Sequence, residues 1–175
     1  MKKVLLALVL TSAIFIQACA IPSWVNTVEA DAKIAVPIAG SLIDVIDPAL
    51  SPLVALIEQG FSALTKTLDT YKANPNATNL QAVQSAFNAV SSNIADLETA
   101  AQVKNAATRT TVTEVVQLLG QIVTEIAAQV PASTSSQLKI NIPPGVPQHA
   151  KGWTSKDIKS QYNNIIKGDY RFKKL

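Results

Sequence analysis

Between Val25 and Val130, apolar residues return at steps of three and four, in four runs separated by helix-stopping signals. At 3.6 residues per turn these steps draw one stripe along a helix, and a lone helix cannot bury its own stripe. Such a chain must pack helix against helix. The first run holds Val25, Val28, Ala32, Ala35, Ala39, Leu42 and Ile46, and the second Leu50, Val54, Ile57, Phe61, Leu64, Leu68 and Tyr71. The third holds Leu80, Val83, Phe87, Val90, Ile94, Leu97 and Ala101, and the fourth Val112, Val116, Leu119, Val123, Ile126 and Val130. None of these stripe positions is a carboxylate.

The punctuation predicts helices over approximately 23–46, 48–73, 78–102 and 106–130. Ser23 can cap the first, and Pro37 inside it predicts a kink or break, with Gly40 adding slack. Asp47-Pro48 is a restart: the carboxylate accepts from free N–H groups, and proline suits the first helical position. Asn74-Pro75 stops the second helix, and Thr78 with Gln81 reads as a capping box for the third. The third break carries no Pro or Gly and is placed at 103–105; Pro131 closes the fourth helix. Segments of about 24 residues are about 36 Å long. Matched lengths and short connections predict an all-α fold, an antiparallel up-down four-helix bundle over 20–130, left-handed and crossing near 20°. The alanine-rich first stripe suits close packing or a place at the core margin. Gly60 and Gly120, mid-helix, either permit close helix approach or are tolerated defects.

After Pro131 the pattern changes, and 131–175 reads as an irregular basic tail. Residues 131–136 form a polar linker. Leu138, Ile140 and Ile142 alternate with polar residues as in a short strand, and Pro143-Pro144-Gly145-Val146-Pro147 is polyproline-like. Thr154 or Ser155 can cap a short helix over about 155–167 bearing Ile158, Tyr162 and Ile165, with Gly168 stopping it. The net charge of +3 conceals an asymmetry. Residues 20–130 hold ten carboxylates and five cations, whereas 131–175 hold eight cations and two carboxylates. An acidic body with a basic tail points to an anionic partner for the tail.

The tail cations Lys156, Lys159, Lys167, Arg171, Lys173 and Lys174 are interleaved with Trp153, Tyr162, Tyr170 and Phe172. Cations beside aromatics suit an anionic membrane surface, an envelope polymer or a protein partner. They also suit single-stranded nucleic acid, which an exported protein seldom meets. Alternatively the tail folds back on the acidic bundle or is simply solvated. No catalytic constellation is present. His149 is the only histidine and sits among prolines, without the packed support a Ser–His–Asp arrangement needs. No Glu-x-x-His pair, zinc set or phosphate-binding glycine loop occurs, so neither enzyme activity, a metal nor a cofactor is expected. Asn76-Ala77-Thr78 matches a glycosylation sequon but reads more simply as a loop entering a helix cap.

The first twenty residues decide the address. Lys2 and Lys3 precede thirteen uncharged residues, 4–16, and small residues close the segment at Ala18-Cys19-Ala20. That is a secretory signal layout, and the apolar run, about 20 Å as a helix, is short for a bilayer core of about 30 Å. Ile16-Gln17-Ala18-Cys19 resembles the lipobox of bacterial lipoproteins, with Ile16, Ala18 and Cys19 matching and Gln17 departing from the usual small residue. The resemblance implies a signal peptide over 1–19, a diacylglyceryl group on the Cys19 thiol and an acylated mature N-terminus. In a Gram-negative cell it implies the periplasmic side of the outer membrane, because Ala20 is not an Asp retention signal. Cleavage after Ala20, giving a secreted or periplasmic soluble protein, also fits. A lone cysteine forms no internal disulfide, and acylation would remove an otherwise free thiol. The expected function is a lipid-anchored, non-enzymatic binding or structural element of the envelope. The alternative is a membrane-active, pore-forming or toxin-like protein, suggested by 34–57, whose polar side chains are Ser41, Asp44, Asp47 and Ser51.

Overall fold

The computed structural model describes residues 21–101, 109–131 and 153–175. The lipobox with Cys19, the break at 103–105, the strand expected at 138–142, the prolines of 143–147 and His149 lie outside the described residues. Those described form helices and turns, with no strand among them. In order come α1 (Ser23–Gly40), a 3-10 turn (Pro48–Leu50), α2 (Ser51–Ala73), α3 (Ala77–Ala101), α4 (Arg109–Gln129) and α5 (Ser155–Ile165).

The first helix departs from expectation at both ends. Pro22, not Ser23, occupies the N-cap, and no side chain caps the helix there. Pro37 does not break it, but the helix stops at Gly40 rather than continuing to 46. Successive turns follow, with Val45 and Ile46 both donating to the Leu42 carbonyl. They preserve enough helical phase for Leu42 and Ile46 to stay buried. Asp47 restarts the chain by accepting from the Ala49 N–H at 2.9 Å, first into a 3-10 turn and then into α2. The third helix is capped by Asn76 instead of Thr78. The Asn76 carboxamide accepts from the Asn79 N–H at 2.8 Å, and the Asn79 side chain donates to the Asn74 carbonyl at 2.7 Å. A short polar loop before the helix, held by its own asparagines, supplies the free donors with a partner.

Around the fold, α1 packs on α2, α2 on α3, α3 on α4, and α4 returns to α1. The ring is tied near its ends. Trp24 at the start of α1 meets Tyr71 at the end of α2, ring centroids 5.6 Å apart. Glu29, largely buried, is held by Lys33 and by Lys72 across the same pair of helices. Gln84, early in α3, donates to the Pro131 carbonyl just after α4 at 2.5 Å. Val54, Ile57, Phe61, Leu64 and Leu68 meet Val83, Phe87, Val90, Ile94 and Leu97 in one core. Each such side chain contributes roughly 1.5–3 kcal/mol relative to exposure.

Two expectations about the core need correction. A carboxylate does sit inside it: Asp31 is fully buried. It falls three residues after Val28 and four before Ala35, so it shares their stripe. And α4 is not single-striped. Besides Val112, Val116, Leu119, Val123, Ile126 and Val130 it buries Val115, Leu118 and Ile122. Gln121, next to Ile122, accepts from Gln161 of α5, which rests on α1 and α4.

Gly60 resolves as a close approach. A Cβ placed there would lie 2.7 Å from Val90 Cγ2 of α3. Val90 is buried and β-branched, so it yields poorly. Overpacking costs typically 1–3 kcal/mol, against a helix-propensity gain of about 1 kcal/mol. Gly60→Ala should therefore lower stability by about 1 kcal/mol in urea denaturation. Adding Val90→Ala should cost less in that background than in the wild type, because the clash is relieved.

Candidate binding surface at the C-terminal segment

Thr154 opens α5 with a complete capping box. Its hydroxyl accepts from the Asp157 N–H, and the Asp157 carboxylate accepts from the Thr154 N–H at 2.9 Å. The Thr154 hydrogen bonds hold the Asp157 carboxyl below its ordinary range. The helix ends at Ile165, and Gly168, at φ +94°, turns the chain back with a backbone that other residues rarely adopt. Ile158, Tyr162, Ile166 and Phe172 are buried and belong to the same core as the four long helices. Ile166, rather than Ile165, is the deeper of the neighbouring pair. The described part of the tail is thus a docked element.

Its last residues are pinned. Tyr162 donates through its hydroxyl to the Lys173 carbonyl at 3.2 Å. Asn163 brackets Leu175, accepting from its N–H at 3.1 Å and donating to its carbonyl oxygen at 3.2 Å. Burial raises the Tyr162 hydroxyl above its ordinary pKa. Arg171 is engaged by Asp169, whose carboxylate accepts from Nε at 2.8 Å and from Nη2. The pair lowers the Asp169 pKa and raises that of Arg171, through their hydrogen bond first.

The candidate contact residues are therefore sorted rather than gathered. Tyr162 and Phe172 are core side chains and are not presented to a partner. Trp153 is partly buried against the core. Lys156, Lys159, Lys167, Lys173 and Lys174 are exposed, as is Tyr170, at 96%. Lys173, Lys174, Arg171 and Leu175 form one wall of an open cleft of about 440 Å³, with Pro37, Gly40, Ser41 and Asp44 at the end of α1 opposite.

At the other end of α5 lies a group that sequence reasoning missed. Asp31 Oδ1 accepts from the Ser155 hydroxyl at 3.0 Å, and Oδ2 has no hydrogen-bond partner among the described residues. Burial pushes the Asp31 carboxyl up to about 6; the Ser155 hydrogen bond opposes this and the charge of Glu125 on α4 adds to it. The visible signal was its position on the α1 stripe. The second α4 stripe, Val115, Leu118 and Ile122 at steps of three and four, was the matching signal that a further element covers α4. Among the described residues no group of three or more His, Cys, Asp or Glu side chains is placed to hold a metal ion. No family model matches the chain, and comparison with curated proteins and with solved structures finds no similar protein.

Proposed function

We propose that this is an exported, lipid-anchored, non-enzymatic helical protein that serves as a binding or structural element of the bacterial cell envelope. The observation that carries the reading is the opening segment, with a basic start, a thirteen-residue uncharged run and Ile16-Gln17-Ala18-Cys19. The position of the folded body supports it, because α1 begins at Ser23, only four residues beyond Cys19. An acyl anchor there would hold the body directly on the membrane, and several acyl chains hold far better than one. The four long helices are read as an antiparallel up-down bundle. The Trp24–Tyr71, Glu29–Lys72 and Gln84–Pro131 contacts support this, since each joins the start of one helix to the end of the next.

The membrane-active alternative has less support. Its apolar stretch 34–57 is divided among α1, the turns at 41–46, the 3-10 turn and α2. No helix among the described residues is long and apolar enough to cross a membrane. In cells fed a labelled fatty acid, the wild-type protein should carry label and Cys19→Ala should carry none. Equal labelling of the two would remove the anchor from the proposal.

A further inference from the structure

The end of the molecule nearest Cys19 is almost free of charge. Contacts tie four helix ends together there. Trp24 at the start of α1 meets Tyr71 at the end of α2, the 74–76 loop carries α2 into α3, and Gln84 early in α3 reaches the Pro131 carbonyl beyond α4. Residues 21–28, 70–85 and 126–131 contain one charged side chain, Lys72, and it pairs with buried Glu29. Ile21 is 45% exposed, and Trp24, Tyr71, Pro75 and Leu80 are half-buried. The nearest unpaired carboxylates, exposed Asp69 and half-buried Glu125, lie about 6 Å inward from the ends of α2 and α4. Lys33, which also pairs with Glu29, and the charges of α5 lie further along. The opposite end gathers Asp44, Arg171, Lys173 and Lys174 around its cleft.

Cys19 is two residues before Ile21. A chain advances at most about 3.6 Å per residue, so a lipid on the Cys19 sulfur has a backbone tether of about 7 Å to Ile21. That is close to the depth of one headgroup layer, about 6 Å. We infer that this uncharged end is a membrane-seating face: the folded body stands end-on, with Ile21, the Trp24–Tyr71 pair and the 74–76 loop among the lipid headgroups of a bilayer. The inference rests on the lipid-anchor reading. Tryptophan and tyrosine favour that layer, because each ring is apolar with one polar edge. An uncharged surface gives up little hydration on entering it, whereas carboxylates give up much. Asp69 and Glu125 therefore limit the seating to about one helical turn. No helix among the described residues is long and apolar enough to cross a membrane, so the face seats and does not span. With its one cation already paired, it should not distinguish anionic from neutral lipid.

The two tryptophans report the orientation. Trp153 precedes the α5 cap, and Ser155 meets Asp31 about 12 Å along α1 from Ser23. The acylated protein is reconstituted in phosphatidylcholine vesicles whose acyl chains carry bromine near the headgroup, as Trp153→Phe to leave Trp24 and as Trp24→Phe to leave Trp153. Trp24 fluorescence should be quenched and shifted to shorter wavelength, equally when phosphatidylglycerol is included, and Trp153 should keep its intensity. Quenching of neither tryptophan, or of both alike, would overturn the inference, since the body would then hang in water or lie on its side. Ile21→Glu with Ala77→Glu puts charge on the face at two exposed positions, the second at a helix start that favours a carboxylate. The melting temperature should hold and the Trp24 quenching should be largely lost. Unchanged quenching in this variant would overturn the face, leaving proximity to the tether alone. Absence of fatty acid on the purified protein would instead remove the anchor reading. The chain from Cys19 onward, coupled through that cysteine to a maleimide lipid, sets the same end on the same bilayer, and the tryptophan pattern then decides the face by itself.

Discussion

Tyr162→Ala should destabilise the whole protein by about 3–5 kcal/mol, the range for removing a large buried aromatic side chain. Tyr162 is fully buried between the bundle and the returning C-terminal residues, and its hydroxyl holds the Lys173 carbonyl. The substitution removes ring contacts to the core and the bond that holds the Lys173 carbonyl. The bundle loses the packing of α5 on α1 and α4 along with the tail. Urea denaturation followed by far-ultraviolet circular dichroism and by tryptophan fluorescence should show one transition, shifted equally in both signals. An appendage independent of the bundle would instead leave the main transition in place and add a separate early one. Tyr162→Phe keeps the ring and should cost only about 1 kcal/mol, the usual net value of one hydrogen bond.

The second large effect is opposite in sign. Asp31→Asn should stabilise the protein at pH 8 by about 1–2 kcal/mol, a large part of the penalty on the ionised carboxyl. In the folded state the Asp31 carboxyl titrates near 6, against an ordinary value of 3.8. Between these values the folded protein holds a proton that the unfolded chain has released. Stability therefore falls as pH rises from about 4 to about 6 and stays lower above that. The displacement corresponds to a cost of at most about 3 kcal/mol for the ionised group. Asparagine keeps an oxygen for the Ser155 hydroxyl and directs an amide, rather than a second negative charge, into surroundings that include Glu125. Urea midpoints at pH 5 and pH 8 should show the wild type losing stability over this interval. The Asp31→Asn variant should lose much less. An unchanged wild-type profile, or destabilisation by the substitution at pH 8, would contradict the account of Asp31.

Much of the molecule was legible in the sequence because helix formation is local. Stripes, caps and stops are written over four to seven residues, and nearly all of the expected stripe side chains with described burial are buried or half-buried. Where the reading slipped, two local signals competed. Asn76 and Thr78 both suit a cap, and the backbone chose Asn76, whose side chain reaches the Asn79 N–H. Pro37 marked a place where α1 weakens, yet the helix ran on to Gly40 before turning. The 3-10 turn at Pro48–Leu50 satisfied the same Asp47-Pro48 restart that predicted a helix.

The candidate surface was less legible. The sequence by itself determined that four apolar-striped helices must pack together, that they end where prolines and asparagines stop them, and that the positive charge collects after them. Each of those outcomes depends on neighbours in the chain. Only the tertiary structure decided which tail residues turn inward. Ser155 meets Asp31 across 124 residues, and Gln161 meets Gln121 across 40. Whether a tyrosine or a lysine is offered to solvent depends on the groove waiting for it, here the one between α1 and α4. Aromatic rings gain free energy by leaving water, whereas lysine ammonium groups lose hydration if they follow. Docking α5 therefore took Tyr162 and Phe172 out of an interleaved sequence into the core and left the lysines, with Tyr170, in solvent.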